Sequence, residues 1–577
     1  MTNESRRIVV ASVLIFIVLL LQPYYLSWVG VDVDYNDLDD TFSEEFSEPS
    51  APLNNNSDGQ IDKKIPVFEN AAVELYTIIT PLYQIVISNN GGGSVVASSF
   101  MPTSVNDTRF YGGFDQYGVY QYNLPATVSP LNGSTCAPCL AYYDYDEKIY
   151  QFFDMPFVLK NRNQLFDLSN TIKIDPDFPN TKLEFEYVDK DWSIKKILTF
   201  NTNNYVVDIE YVVDGVISNY PLELYWHGGL RPTELLESDD IINGYAMVAQ
   251  GDERVDVNIT TNEGAQRTVY NGASNWVAVR NKYFISAIIP NTPSSYATLS
   301  ASGSDFGDRD FTPLYDMSIG YNANVKNIGA QLFIGPLDID YIDKLDTNLD
   351  SSMNFGFSLI KPIGKFILFL LKFFHDTLKL NYGVALIVFA FLVWFVTRPL
   401  TVKAFESSKK MQKVAPMIKK VQAKYKDNPQ KMNQEVMKLY KENGANPLGG
   451  CLPMLLQMPL LWSLFVVFRS TIEFRGAGFI FWIKDLSQPD VLFNLPFHIP
   501  LYGDYVALLP ILMGISIFMT QQMSMATMDP AQKPVMYIMN GVFILIFNSF
   551  PSGLNLYYTV YNLLNFYQQK AINARTE

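Results

Sequence analysis

Six stretches of the chain hold no charged residue, at about residues 8–28, 382–397, 451–468, 505–523, 535–550 and 554–566. Hydrocarbon offers no water to a backbone, so such segments cross a bilayer only as helices that bond their own N–H and C=O groups. Only the first is comfortably long enough. The run 382–397 rises about 24 Å against about 30 Å of hydrocarbon, so the later spans must draw flanking residues inward or thin the bilayer.

Lysine and arginine set the orientation. The leading Asn-Glu-Ser-Arg-Arg holds the N-terminus in the cytoplasm, and the first span, read as an uncleaved anchor (1–29), exports the next segment of the chain. Residues 398–442, with 12 Lys+Arg and 4 Asp+Glu, return to the cytoplasm, and six crossings leave the C-terminus there too. Residues 29–354 carry 19 Lys+Arg and 46 Asp+Glu, a net of −27 against −15 for the whole chain. An acidic exported module is therefore set into a basic membrane protein.

Residues 30–65 are acidic and rich in Ser, Asn and Pro, a linker too polar to bury a core. Residues 66–350 change to short alternating runs such as KLEFEYV and YVVDIEYVV between Asn, Gly, Asp and Pro turns, the pattern of an all-β sandwich. Cys136 and Cys139, in the loop-like CAPC, form a local structural disulfide or remain idle thiols. The NNGGGS at 89–94 reads as a turn.

In 351–380, Lys361, Lys365, Lys372, Asp376 and Lys379 fall along one narrow helical stripe on a Phe/Leu/Ile surface. That is the pattern of an amphipathic helix lying in the membrane interface on the exported side. In 400–444, Met411, Val414, Met417, Ile418, Val421 and Tyr425 precede a break at DNPQ, and Met432, Val436, Leu439 and Tyr440 come after it. This predicts a cytoplasmic hairpin of two amphipathic helices. Its Lys409, Lys410, Lys413, Lys419 and Lys420 either form a solvated positive-inside face or dock anionic lipid headgroups or ribosomal RNA.

NPLGGCLPMLLQMPLLWSLF (446–465) resembles the third-span signature of the YidC/Oxa/Alb membrane protein insertases. RPLTVKAFESSKKMQKVAPMIKKVQ is similar to that family's second-span exit and hairpin, FWIKDLS to its exported loop, and FPSGLNLYYTVYNLLNFYQQ to its last span. The resemblance covers about 350–572. It implies a six-span helical bundle with a five-helix insertase core (381–577), and an exported β-supersandwich-like domain of the Gram-negative type. It further implies that the chain moves hydrophobic segments of nascent membrane proteins from the cytoplasm into the bacterial inner membrane. It would do so alone or with the Sec translocon, with the ribosome and membrane lipids as further partners and no DNA.

Such a device needs a polar recess open to lipid. Gln457 and Met458 in the third span, Gln521 in the fourth and Asn562 in the sixth could line it, or could serve helix packing. By the resemblance Tyr557 and Tyr558 face the substrate; an interfacial aromatic belt is the other reading. Most of the family carries a cation five positions before the Pro of the PLT stretch, and here that position is Trp394. Arg398, four residues on and on the same helix face, is the nearest cation, and helical side chains lean toward their own N-terminus, here back into the membrane. It either replaces the groove charge or marks the cytoplasmic end of the span.

No arrangement of the three His (His227, His375, His498) or of carboxylates points to catalysis, a metal or another cofactor. The rival readings are a polytopic transporter, which would place a carboxylate or His near the midplane, and a receptor with an exported β sensor, which would carry a larger cytoplasmic domain. Exported sandwiches of this kind resemble sugar-binding folds, but no aromatic–carboxylate grouping in the sequence names a ligand. All the groove features lie in 350–577, so that part alone is expected to insert clients.

Overall fold

The alternating runs of the acidic module pair into sheets. The computed structural model describes residues 73–574 except 105–106, 116, 132–134, 147, 167–169, 175, 178–179, 260–265, 307–308, 357–359, 426–427, 445–451, 500–501 and 526–532. The expected anchor and acidic linker lie outside the described residues. The chain divides into two compact units, Lys63–Gly383 with Leu460–Gln488, and Val384–Pro459 with Pro489–Glu577.

The first unit holds a nine-stranded antiparallel sheet. Its order is Glu253–Val257, Tyr245–Gln250, Trp276–Arg280, Phe284–Pro290, Asn327–Pro336, Val206–Asp214, Ser193–Asn201, Asn180–Val188 and Val158–Leu159. A six-stranded antiparallel sheet packs against it: Gln266–Asn271, Tyr296–Phe306, Arg309–Tyr321, Leu222–Trp226, Cys139–Tyr143 and Ile149–Gln151. A five-stranded sheet (Thr171–Lys173, Leu75–Ile79, Tyr83–Ser88, Ser94–Phe100, Thr127–Val128) contains one parallel pair, 75–79 with 171–173. The period-two pattern explains the core: in Ser193–Asn201, Ile194, Lys196, Leu198 and Phe200 are buried and their neighbours are not.

Lys196 is the exception on that inward face. Its ammonium, fully buried, donates to the carbonyls of Pro138 (2.8 Å) and Gly91 (3.3 Å) and lies 5.2 Å from the centre of the Tyr211 ring. Burial pushes it down to about 7. It thus holds together the glycine turn and the CAPC loop. Gly91, Gly92 and Gly93 all have positive φ, and a Cβ at Gly93 would meet Leu198 at 2.6 Å, so the turn read from NNGGGS admits no side chain there. Of the two states expected for Cys136 and Cys139, the structure has the disulfide, with both residues buried.

The segment expected at the membrane interface is a helix, α1 (Lys361–Lys372), continued by a π turn at Phe373–Thr377. Gly364, Ile367, Leu368 and Leu371 are buried, while Phe366 and Phe369 stay more than half exposed. The lysine stripe is not free. Lys361 and Lys365 reach Asp350 (3.6 and 3.2 Å), and Lys372 reaches Asp340 (2.6 Å), Glu473 (3.3 Å) and Asp338 (3.5 Å).

The remaining long helices are α2 (Tyr382–Lys424), α3 (Pro429–Glu442), α4 (Leu452–Ser470), α5 (Leu508–Met525), α6 (Lys533–Phe547) and α7 (Ser552–Ala574). The sequence ends the apolar run at Thr397 and sets the hairpin apart from residue 400, but α2 runs on through Pro399 and Pro416. A proline removes one backbone bond and leaves one carbonyl free. The hydroxyls of Thr397 and Thr401 bond the carbonyls of Val393 (2.8 Å) and Thr397 (3.0 Å) in the surrounding turns. The first arm of the hairpin is therefore a continuation of the span. Its second arm starts where Asn428 accepts from the Lys431 N–H (3.1 Å), with Pro429 at the first helical position.

Among the described residues, one helical segment, Tyr382–Ser407, is long and apolar enough by itself to cross a membrane. Two shorter apolar segments are Leu508–Gln522 and Tyr537–Phe547. α5 packs against both α6 and α7. Gly514 permits the first approach, because a Cβ there would collide with Ile544.

Candidate substrate groove

In the second unit, α2, α5 and α7 bring most of the expected groove residues together. The Tyr557 ring lies 5.7 Å from Phe389, meets Tyr558 edge-on at 5.0 Å and stacks with Tyr561 at 5.9 Å. Thr397 and Tyr561 exchange a hydrogen bond of 3.3 Å between α2 and α7. Thr520, beside Gln521, donates to the Asn562 carbonyl (3.3 Å), and the Asn562 amide turns back on the Tyr558 carbonyl (2.8 Å). Thr397, Thr520 and Tyr561 escape a sequence reading because hydroxyls in a span carry no distinguishing pattern.

Tyr557 and Tyr558 are buried, not set in an interfacial belt. Both hydroxyls, together with Trp394 Nε1 and Gln521 Oε1, are buried with no hydrogen-bond partner among the described residues. The Arg398 guanidinium lies 5.7 Å from the Trp394 ring centre, so it leans one turn back along α2, as the helix direction requires. Gln457 is half-buried and Met458 is 57% exposed on α4. No hydrogen bond or ring contact among the described residues ties either to this cluster. The outer side of α2 is apolar and open, with Phe395 and Val396 about two-thirds exposed, as for a helix that faces lipid. On the first arm of the hairpin Lys410, Lys413, Lys419 and Lys420 are exposed; the side chain of Lys409 lies outside the described residues.

A second polar centre, in the first unit, was not visible in the sequence. Arg475, in the loop after α4, is buried; its Nε donates to Glu234 (2.7 Å). Its Nη atoms donate to the carbonyls of Arg109, Tyr111 and Gly112 (2.8 Å each) and of Thr233 (3.1 Å). Burial raises the Glu234 carboxyl; burial also opposes the Arg475 charge, but Glu234, Tyr120 and Asp485 together more than offset it, so the guanidinium stays a cation. Two residues earlier, buried Glu473 faces Lys372, and its carboxyl is raised by burial. The only signal in the sequence is two opposite charges inside the apolar run TIEFRGAGFIFW.

The six-stranded sheet also assembles an aromatic–carboxylate group from residues far apart in sequence. Asp316 takes His227 (2.8 Å) and the Tyr225 hydroxyl (2.9 Å), Glu223 takes the Tyr296 hydroxyl (2.8 Å) and Ser318 (2.5 Å), and Arg267 lies 3.9 Å from the Tyr143 ring centre. Both carboxylates are thus engaged by neighbouring side chains. Among the described residues there is no group of three or more His, Cys, Asp or Glu able to hold a metal.

Residues 373–577 match the 60Kd inner membrane protein family, and residues 154–370 match the YidC periplasmic domain. The crystal structure of an active YidC insertase with its first transmembrane domain resolved aligns over 87% of this chain and 93% of its own, at 17% identity and a TM-score of 0.34. The protein from Chlorobium limicola named membrane protein insertase YidC is 38% identical over 389 residues, 67% of each chain. That from Chloroherpeton thalassium, of the same name, is 33% identical over 442 residues, 75% of this chain and 74% of its own. The chain belongs to the YidC family of membrane protein insertases.

This membership removes the transporter and receptor readings and makes the chain an inner-membrane protein. In this insertase the family match to the periplasmic domain begins at the end of the 3-10 turn Phe152–Asp154 and ends inside α1. The match to the inner-membrane part begins at the π turn and takes in the loop that carries Arg475.

Proposed function

We propose that the chain accepts hydrophobic segments of nascent membrane proteins from the cytoplasm and passes them into the inner membrane through a polar recess bounded by α2, α5 and α7. It acts alone or beside the Sec translocon. The observation that carries this reading is the set of buried polar atoms without a partner among the described residues, Trp394 Nε1, Gln521 Oε1 and the hydroxyls of Tyr557 and Tyr558. An unmet polar group inside a helix cluster costs about 1–3 kcal/mol, so a set of them has a use: it offers bonds to the polar tail that an inserting segment drags across.

The positive-inside rule supports both termini and the α2–α3 arm in the cytoplasm and the β module in the periplasm, with six crossings in all. The exposed lysines of the arm supply a surface for anionic headgroups or the ribosome. The reading is of a non-enzymatic insertase.

The test removes the polar atoms and keeps the shape: Gln521→Leu, Tyr557→Phe and Tyr558→Phe together, in the full chain reconstituted with a single-span client. We expect at least about tenfold less insertion, alongside unchanged or higher thermal stability, because apolar replacement of unsatisfied groups is neutral or stabilising. Undiminished insertion would mean that these atoms play no part.

A further inference from the structure

Between the third and fourth apolar segments the chain forms a hairpin, Val491–Ile499 paired antiparallel with Gly503–Ala507 as a sheet of two strands. In residues 491–507 the only charged side chain is Asp504. The apolar side chains do not turn inward: Val491 is 41%, Leu492 44%, Phe493 57% and Phe497 60% exposed. The register shifts between Val491 and Phe493 and again between Asn494 and Ile499, so strict alternation is broken and the exposed apolar side chains are spread along the strand.

The hairpin is nonetheless firmly held. Buried Asn548, just past α6, accepts from the Ala507 N–H (3.1 Å) and donates to the carbonyls of Tyr502 (2.7 Å) and Tyr505 (2.9 Å). Asp490, just before the hairpin, accepts from the N–H groups of Leu508 and Leu509 (3.1 and 2.8 Å) and so caps α5. Ala507 runs into α5 with no intervening residue. The exposed apolar surface continues down that helix at Leu512 and Ile515.

We propose that this hairpin is a lipid anchor, seated by its Phe and Leu side chains among the headgroup-proximal acyl chains of the exported leaflet; the proposal rests on the six-crossing topology of the proposed function. Three features select lipid over a protein partner. Exposed apolar side chains spread along an irregular strand from Val491 to Phe497 suit a fluid, whereas a protein partner would cover one compact patch. That surface is continuous with the side of α5 that the topology exposes to lipid. The apolar stretch Leu508–Gln522 also rises only about 22 Å, short of about 30 Å of hydrocarbon, and the hairpin lengthens the lipid-compatible surface at the deficient end. Depth is limited as well. A two-stranded sheet has two open edges, whose N–H and C=O groups need water, which keeps the hairpin at the boundary and out of the bilayer centre.

The test uses the full chain in liposomes, in a Cys451→Ser background, with a polarity-sensitive fluorophore on Leu492→Cys, Phe493→Cys or Phe497→Cys. Quenching by lipids spin-labelled near the headgroup is expected to exceed quenching by lipids labelled at the bilayer centre by about twofold or more, with protection from aqueous iodide. Because these side chains are exposed, their replacement leaves no cavity. A control label at Ile515→Cys tests the topology by itself and must be quenched by the deep lipid label. If Ile515→Cys responds and the hairpin positions are quenched only by iodide, the hairpin is a water-exposed loop and the proposal fails. If they are shielded from both quenchers, protein covers the hairpin, and the proposal fails equally. If Ile515→Cys itself does not respond, the topology is at fault and the proposal falls with it.

Discussion

Replacing Arg475 by Met keeps the length and apolar stem of the side chain and deletes five hydrogen bonds and one charge. The partner left behind is Glu234, buried and 2.7 Å from the vanished guanidinium. Stranding one member of a buried ion pair costs about 3–5 kcal/mol. Four carbonyl oxygens lose a donor too, and any that cannot relax to water adds about 1 kcal/mol or more. The sum, about 5 kcal/mol, is comparable to the whole stability of many domains. We expect purified Arg475→Met in detergent to lose at least that in denaturant unfolding of the β-rich unit, with new proteolytic cleavage in 471–488. Glu234→Gln combined with Arg475→Met should recover about 1–2 kcal/mol, because the stranded charge is then removed. A loss below about 1 kcal/mol, or a double variant no better than the single, would refute this reasoning. The expectation that residues 350–577 suffice for insertion is revised on the same ground. That fragment keeps Arg475 and Glu473 but lacks Glu234, Thr233 and the 109–112 carbonyls, so it should insert clients poorly and be easily degraded.

Lys196 ties stability to pH. Between its folded value of about 7 and the usual lysine value the unfolded chain binds more protons, so stability rises with pH, by about 2 kcal/mol from pH 7 to 9. Unfolding of Lys196→Met across that range should lose most of this slope, and an unaltered slope would assign it to other groups. Arg398→Ala, measured by client insertion and by membrane topology, should cut insertion several-fold while topology holds, because Lys403, Lys409 and Lys410 still mark the cytoplasmic side. Arg398→Lys should keep part of the activity, and full activity in the Ala variant would leave Arg398 as a stop residue only.

Patterns of short range were legible in the sequence. Alternation along Asn180–Val188 and Val206–Asp214, the turn at Gly91–Gly93, the amphipathic stripe of α1 and the lean of Arg398 toward Trp394 come from periodicities of two and 3.6 and from the direction of a helical side chain. These need only a residue and its chain neighbours. The PLT and NPLGGC segments carried family membership because they are long strings, not because their geometry could be derived.

What tertiary structure alone decided is where polar groups find partners across long sequence distances. Nothing near Lys196 in the sequence supplies its partners: the carbonyls of Gly91 and Pro138 arrive from 105 and 58 residues away. Arg475 reads as a loop charge until Glu234, 241 residues earlier, closes on it. The continuity of α2 through Pro399 and the burial of Tyr557 and Tyr558 are of the same kind. Proline disfavours a helix interior and tyrosine is common in interfacial belts, and tertiary surroundings override such local preferences of a few kcal/mol. A local pattern dictates which face of an element is apolar, whereas the partner of a buried charge depends on which distant segments meet, and that information is spread over the whole chain.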